Sequence, residues 1–272
     1  MGKSRALERG KKEIVMAAIK TVDSGEIVIQ QVKTHTIDFC ILGTSPLIMN
    51  RMSQKVWFEL LAPKGRKSTA EKASSLKHDP LQEFRSAPYI IQSEKSKSLL
   101  GVMSSGFKKA MGTAALRSPG VKKTEINQLV YVEGEFAEVF GIPKVFMAIT
   151  RSADMNKTPD VRTRAILPEW ACKLSVTFVS PALRETSIAN LLSSAGVVSG
   201  IGDWRQEKGS GSFGAFTLVP HDHPDFVRIL KTQGRKAQQA AMDTPEPYND
   251  ETSEMLAWFD VEIKRRGFKV AA

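Results

Sequence analysis

The order of apolar and polar positions along the chain predicts short strands separated by a few helices. The run at 37–43 is rich in strand-favouring residues and ends at a glycine, and the run at 171–179 alternates between apolar and polar residues. Both patterns are typical of half-buried strands. Shorter strand-like runs are found at 88–91, 128–132, 136–140, 145–149 and 213–219.

Helices are predicted where apolar residues recur at helical spacing. One covers 106–117, with Ser104 or Ser105 as its N-cap, because a serine hydroxyl can accept a bond from the free N–H groups of a first turn. The other predicted helices, some of only one or two turns, are at 55–61, 187–195, 224–231 and 253–266.

The order strand, helix, strands, helix, strand resembles a βαββαβ unit with insertions. The predicted fold class is therefore α+β, a modified ferredoxin/RRM-like antiparallel sheet with helices on one face. We expect a basic N-terminal arm at 1–36, the RRM-like domain at 37–219 and an acidic helical extension at 220–272. Polar stretches near 62–79 and 150–162 predict loop insertions within that domain, because they hold few large apolar residues. The second stretch is interpreted as the tip of a long hairpin or an irregular loop.

Charge changes this picture, because it is unevenly distributed. The 272 residues carry a net charge of +10. Residues 1–125 hold 22 basic and 11 acidic side chains, whereas residues 126–272 hold 17 and 18. One half of the chain thus carries the whole positive excess, which favours a polyanionic partner such as nucleic acid. The alternative is a basic surface that serves only solubility.

Composition excludes several other classes of protein. No apolar run approaches the roughly 20 residues needed to span a bilayer, so no membrane partner is expected. Cys40 and Cys172 are too few for a disulfide scaffold, which favours a cytoplasmic location. Neither cysteine has a His or acidic neighbour, and His221 and His223 lack a second ligand cluster. We therefore predict no catalytic residues, no metal and no cofactor.

Three motifs occur in a fixed order along the chain: GTSPLI at 43–48, SSGFKKA at 104–110 and GIGDWRQEKGSGSFG at 200–214. In this order they resemble the RAMP superfamily of CRISPR effectors, especially its backbone subunits, over residues 37–219. The third motif is also similar to uncharacterised bacteriophage proteins. The resemblance therefore indicates a bacteriophage or mobile-element relative of that superfamily.

The resemblance implies an RRM-like fold that binds single-stranded nucleic acid along its sheet and glycine-rich loop. It also implies head-to-tail stacking of copies into a filament. Some relatives cleave RNA with an Asp in the loop after the first strand, but residues 44–55 contain no Asp or Glu. Cleavage of that type is therefore not expected.

The glycine-rich segment itself holds residue types that suit a nucleic-acid strand. The backbone at Gly202 can approach a phosphate closely, and Arg205 and Lys208 can neutralise phosphates. Trp204 offers a face on which a base can stack. The alternative is that Trp204 packs under the loop and the glycines only make turns.

A pair of arginines supplies the second candidate contact. Arg162 and Arg164 are two residues apart, so on a strand both point to one face, and Trp170 follows them. Arginines beside an aromatic ring suit an unpaired strand. The alternative is a set of surface ion pairs, Arg162 with Asp160 and Arg164 with Glu169, which would contribute little.

Four further cations complete the predicted contacts. Lys108 and Lys109 fall in the first turn of a helix, where they oppose the helix dipole, which indicates either a nearby anion or simple exposure to solvent. Arg51 and Lys55 follow the first predicted strand.

These patterns together predict a non-enzymatic protein that binds single-stranded RNA or DNA and oligomerises along it. CRISPR-like or phage replication and recombination proteins are the further expected partners. The alternatives are a RAMP-type endoribonuclease and a protein-binding scaffold or inhibitor. Residues 243–262 contain seven acids and no Lys or Arg, and this segment is a candidate to dock on the basic half of a neighbouring copy.

Overall fold

The computed structural model describes residues 31–52, 61, 78–151, 159–208 and 211–267. The chain divides into two units, Met1–Lys33 and Thr34–Ala272, and the account below concerns the second. Lys55, most of the helix predicted at 55–61 and most of the insertion predicted at 62–79 lie outside the described residues.

The described residues form ten strands and seven α-helices, together with one short 3₁₀ turn. The strands are β1 (Lys33–Gly43), β2 (Leu47–Met49), β3 (Tyr89–Ile90), β4 (Leu100–Met103), β5 (Val130–Val132), β6 (Phe136–Phe140), β7 (Lys144–Arg151), β8 (Pro159–Leu167), β9 (Ala171–Ser180) and β10 (Phe216–Val219). The helices are α1 (Pro80–Ser86), α2 (Ser104–Ala115), α3 (Lys123–Leu129), α4 (Glu185–Val198), α5 (Pro224–Thr232), α6 (Arg235–Asp243) and α7 (Asp250–Arg266), and the 3₁₀ turn is Gln206–Lys208.

Seven strands form the larger sheet in the order β10–β1–β9–β6–β4–β3, and β5 also pairs with β9. Its strands pair antiparallel. Along the chain, β1, α2, β6, β9, α4 and β10 follow one another as a βαββαβ unit. The sheet order places the fourth strand of this unit beside the first, and the third between the first and the second. The predicted α+β fold of ferredoxin/RRM type is therefore confirmed.

The core lies between the sheet and the pair of helices α2 and α4. Alternate residues of β9 point towards these helices because successive side chains of a strand face opposite sides. The buried residues at this contact include Phe107, Met111, Leu174, Val176, Ile188 and Leu192. Each buried side chain of this size stabilises the fold by about 1.5–3 kcal/mol. On the opposite face, α5 covers one end of the sheet, where its Phe226 and Ile229 pack against Phe140 and Ala171.

Strands β2, β8 and β7 form a second sheet that is inserted into the unit. The stretch 150–162 was expected to be the tip of a long hairpin or an irregular loop. In the described residues, β7 and β8 pair antiparallel up to Arg151 and Pro159. Val161 packs against the core and Thr163 is buried, so this part of β8 alternates like a strand.

The start of α2 also differs from the prediction. The helix begins at Ser104, after Met103, and no side chain caps it. The Ser104 hydroxyl instead donates to the carbonyl oxygen of Glu133 at 3.2 Å. The first N–H groups of α2 therefore have no side-chain cap.

Three helices follow β10 and are fastened to the sheets. Gln238 of α6 is fully buried, and its amide donates to the carbonyl oxygens of Val139 and Gly141 at 2.8 and 3.2 Å. On α7, the Thr252 hydroxyl accepts a bond from the backbone N–H of Met147 in β7 at 3.3 Å. Within the described part of the chain, no helix is long and apolar enough to cross a membrane.

Candidate nucleic-acid interface

The glycine-rich segment folds back on itself and lies against β2. The backbone N–H of Ile201 donates to Gly214, that of Asp203 donates to Ile48, and that of Gly214 donates to Pro46, all at 2.8–2.9 Å. Gly202 has φ of +80°, and a Cβ there would lie 2.5 Å from the carbonyl oxygen of Ile48. The glycines thus permit the loop to pack closely on β2. This packing joins the first sequence motif to the third through backbone hydrogen bonds.

Trp204 stands in this loop with φ of +49°, a backbone conformation that is uncommon for a bulky side chain. Its half-buried ring contacts Phe146 edge-on at 5.6 Å and Phe213 at 6.3 Å. Tyr248 lies against the other side of Phe146 at 5.7 Å. Trp204 is therefore part of an aromatic cluster on the outer face of β7 and β8.

The two arginines of β8 lie on this same face. Arg164 pairs in register with Phe146, and its Nε lies 3.4 Å from Asp203 Oδ2. Arg162 pairs with Asp160 at 3.2 Å, as the alternative interpretation expected. The expected pair of Arg164 with Glu169 does not form, since Glu169 binds Arg228 at 2.7 Å.

Arg205 holds Glu207, which joins the glycine-rich segment to α2. Its guanidinium donates to the carbonyl oxygen of Gly202 at 3.0 Å and to Glu207 Oε2 at 2.9 Å. Glu207 also accepts a bond from the Thr113 hydroxyl of α2 at 2.9 Å. Burial alone would raise the pKa of Glu207, but the bonds from Arg205 and Thr113 outweigh it and hold the pKa below its ordinary value. Glu207 is therefore ionised at neutral pH.

The lysines of α2 differ in their surroundings. Lys109 is exposed beside the glycine-rich loop and takes part in none of the ion pairs formed between described residues, whereas Lys108 is half-buried. The guanidinium of Arg51 lies 5.8 Å above the ring of Tyr89. Lys208 is exposed in the 3₁₀ turn. The geometry therefore favours Lys109 over Lys108 as a contact for an anion at this loop.

The prediction that Trp170 contacts nucleic acid was wrong. It is fully buried, its indole N–H donates to the carbonyl oxygen of Ser45 at 2.9 Å, and its ring contacts Phe216. A Cβ at Gly43 would lie 2.2 Å from the indole nitrogen. A base cannot stack on this ring, and Trp170 belongs to the core.

The structure thus brings six of the predicted residues to one region, which we call the arginine–glycine surface: Lys109, Arg162, Arg164, Gly202, Trp204 and Arg205. Sequence reasoning missed the residues that organise this surface, above all Asp203 and Glu207. They are the fourth and eighth residues of the glycine-rich motif, and that position was the available signal.

The face of the larger sheet that points away from α2 and α4 has a different character, and we call it the open sheet face. There, the Ser175 hydroxyl donates to Asp38 at 2.5 Å, and the Thr177 hydroxyl donates to Glu133 at 2.8 Å. Glu138 and Lys173 complete the charged residues that we assign to this face. Three carboxylates against one lysine repel a polyanion, so the charge does not favour the binding along the sheet that the resemblance implied.

The described residues contain neither a metal-binding cluster nor a reactive thiol. No group of three His, Cys, Asp or Glu side chains among them is placed to hold a metal ion. Burial raises the pKa of the Cys172 thiol and that of the Cys40 thiol, so neither is a thiolate at neutral pH.

Comparison with known proteins gives similarity to solved structures alone. No protein-family model and no curated protein matches the chain. The crystal structure of Cmr6 from Pyrococcus furiosus matches with a TM-score of 0.35 and 11% identity, over 69% of this chain and 98% of that one. A cryo-EM structure of the type III-B Cmr-beta complex bound to cognate target RNA matches with a TM-score of 0.35 and 13% identity, over 80% of this chain and 66% of that one. These scores support no functional conclusion, so function has to be inferred from the chain's own residues.

Proposed function

We propose that the protein binds single-stranded nucleic acid through the arginine–glycine surface, without cleaving it. The observation that supports this most is the convergence of Arg164 and Arg205 on one loop. Arg164 binds Asp203 and Arg205 binds the carbonyl oxygen of Gly202, so both guanidinium groups are held at the edge of the glycine-rich segment.

The charges of this surface suit a phosphate backbone. Arg162, Arg164 and Arg205 are each paired with a carboxylate that lies near the surface, so each guanidinium is held in place in the free protein. A phosphate can displace such a carboxylate, because partly exposed ion pairs contribute little, about 0–1 kcal/mol. Lys109 adds a cation with no paired carboxylate among the described residues.

Aromatic rings flank these cations. Trp204 and Phe146 lie beside Arg164 on the outer face of β7 and β8. Bases of an unpaired strand can stack on such rings whatever their sequence, whereas a duplex hides its base faces. The combination of cations and half-buried aromatic rings therefore favours single strands over duplexes.

The test replaces Arg162, Arg164 and Arg205 by Ala and measures affinity for labelled single-stranded RNA and DNA by fluorescence anisotropy. We expect a loss of about tenfold or more at low salt and a shallower dependence on salt, because fewer counterions are released. The control replaces Arg117, Arg184 and Arg228 by Ala, which removes the same charge from three exposed arginines outside the arginine–glycine surface and outside α7. Equal affinities for the two triple variants would reject the proposal.

Cleavage is measured on the same labelled strands, with and without Mg²⁺. We expect the strands to stay intact. Cleavage by the wild-type protein that survives repurification would show that the endoribonuclease alternative is correct.

We further propose that copies associate along the bound strand through α7. Its outer face exposes Trp258 at 65% and Val261 at 67%, and the exposed acidic residues Glu254 and Asp260 are close to them in sequence. An exposed apolar stripe with an acidic rim complements the basic half of a second copy. Light scattering should show that the mass rises with added oligonucleotide for wild type and Leu116→Ala, which truncates another exposed side chain, but not for Trp258→Ala.

A further inference from the structure

A pocket of about 340 Å³ lies where the first turns of α2, the end of β2 and the glycine-rich loop meet. Gly106 and Lys109 line it from α2, and 199–202 lines it from the loop. Tyr89 of β3 also lines it. All three motifs of the sequence therefore contribute to one cavity, at the small end of the range of ligand pockets, about 300–1,000 Å³.

One hydroxyl in this pocket lacks a partner. Ser199 lines the pocket and is fully buried, and its Oγ has no hydrogen-bond partner among the described residues. Buried polar atoms are almost always paired, so an exception in a cavity indicates a group that arrives from outside. The Ser199 hydroxyl can both donate and accept, which suits the edge of a base or a sugar hydroxyl.

The rest of the lining combines apolar, polar and charged residues. The apolar ones include Met49, Val102 and Met103, which suits a flat and largely apolar ring system. The side chain of Asn50, bonded to Asp203 at 2.8 Å, supplies a polar edge. Lys109 and Arg205 supply cations, and the carboxylates of Asp203 and Glu207, which also line the pocket, are bound to Arg164 and Arg205. The apolar residues suit a ligand larger than a simple phosphate, and Lys109 suits one that carries a negative charge.

We propose that this pocket holds a single nucleotide, with its base against the apolar part of the lining and its phosphate near Lys109. The inference rests on the proposed function, in that the nucleotide is one residue of the bound strand turned out of its stack. A free nucleoside monophosphate has the same chemistry and is the other possible source.

The test fills the pocket with the variant Gly106→Phe. A Cβ at Gly106 would meet only Val102 Cγ1, at 4.0 Å, so a phenyl ring there enters open space in the pocket, and phenylalanine is a better helix former than glycine. The matched control is Asn190→Phe, which places the same ring at an exposed position of α4.

Two measurements distinguish the sources of the nucleotide. Anisotropy gives the affinity for labelled single-stranded RNA, and saturation-transfer NMR detects contact with nucleoside 5′-monophosphates. For Gly106→Phe we expect the loss of the base-proton signals and an RNA affinity lowered about tenfold, the effect of losing one stacked base. Asn190→Phe should behave like wild type in both.

A second variant covers the case in which Gly106→Phe fails to fold. Ser199→Ala removes the unpaired hydroxyl, so its Tm should be equal to or higher than that of wild type, while its affinity for the nucleotide falls about threefold. A hydroxyl with a purely structural role would lower the Tm and leave the affinity unchanged.

Each outcome decides between the two proposals. Unchanged nucleotide signals and RNA affinity in both variants would overturn the pocket inference while the proposed function stands. Lost nucleotide signals with unchanged RNA affinity support the pocket and assign it to free nucleotides. Nucleotide binding without any RNA binding by the wild type would overturn the proposed function and keep the pocket.

Discussion

The arginine–glycine surface and the open sheet face satisfy their charged groups in different ways. On the first, carboxylates such as Asp203 and Glu207 bind arginines and so hold the guanidinium groups in place. A phosphate that displaces these carboxylates would contact cations that are already oriented. On the second, Asp38 and Glu133 accept bonds from neutral hydroxyls, so their negative charge stays uncompensated. An RRM-like sheet does not by itself determine which face binds a ligand, and the placement of charge favours the arginine–glycine surface over the open sheet face.

The largest expected effect comes from breaking the loop that holds the first surface. Gly214 has φ of +70°, and a Cβ there would lie 1.8 Å from the carbonyl oxygen of Ile201. Gly214→Ala should lower the free energy of unfolding by about 3 kcal/mol, combining the left-handed conformation with the clash, as measured by urea unfolding.

The control for this effect is Gly120→Ala. Gly120 has φ of +78° but nothing within 4 Å of its Cβ position, so only the conformational cost of about 1 kcal/mol applies. Equal losses of unfolding free energy in the two variants would mean that the close packing of the loop does not contribute to stability.

The next effect compares one lysine on each surface. Lys109→Glu should weaken binding of single-stranded RNA about tenfold at low salt, because it puts a negative charge where we propose that a phosphate binds. Lys173→Glu makes the same change on the open sheet face and should alter the affinity less than about twofold. A larger loss of affinity from Lys173→Glu than from Lys109→Glu would indicate that the nucleic acid binds to the open sheet face.

A smaller effect runs in the opposite direction. Glu207→Gln should raise RNA affinity about threefold, because it weakens the ion pair with Arg205. In the wild-type protein a phosphate must displace the Glu207 carboxylate from Arg205. The pKa of Glu207 lies below its ordinary value of about 4.3, so its carboxylate stays ionised between about pH 8 and 5. In this range, protonation of Glu207 therefore does not raise the RNA affinity of the wild-type protein.

The anisotropy control for this variant is Glu138→Gln, which removes one negative charge from the open sheet face. Its affinity should equal that of wild type. A gain as large as that of Glu207→Gln would show that the effect is general charge and not the release of Arg205.

The smallest effect concerns an aromatic ring on the open sheet face. Tyr131 of β5 is 57% exposed, and if bases stacked on this face its loss would cost about 1–3 kcal/mol of binding. We expect Tyr131→Ala to change the affinity less than about twofold, by anisotropy against labelled RNA. A fivefold loss would contradict the comparison of the two surfaces.

Much of the fold could be predicted because its signals are local. The alternation at 171–179 and the glycine that ends β1 match the observed strands closely. The helices α1, α3 and α6 were missed because they are short and polar, so only packing against the sheet stabilises them. The candidate site was predictable in its cations and not in the carboxylates that bind them.

By itself, the sequence determined the βαββαβ order, the uneven charge and the placement of Arg162 and Arg164 on one face. The tertiary structure alone decided that Trp170 is buried against Ser45, 125 residues away, and that Arg164 binds Asp203, 39 residues away. It also decided that the three motifs enclose one pocket. The physical reason is that strand and helix patterns follow from neighbouring residues, whereas burial and ion pairing depend on contacts between segments far apart in the chain.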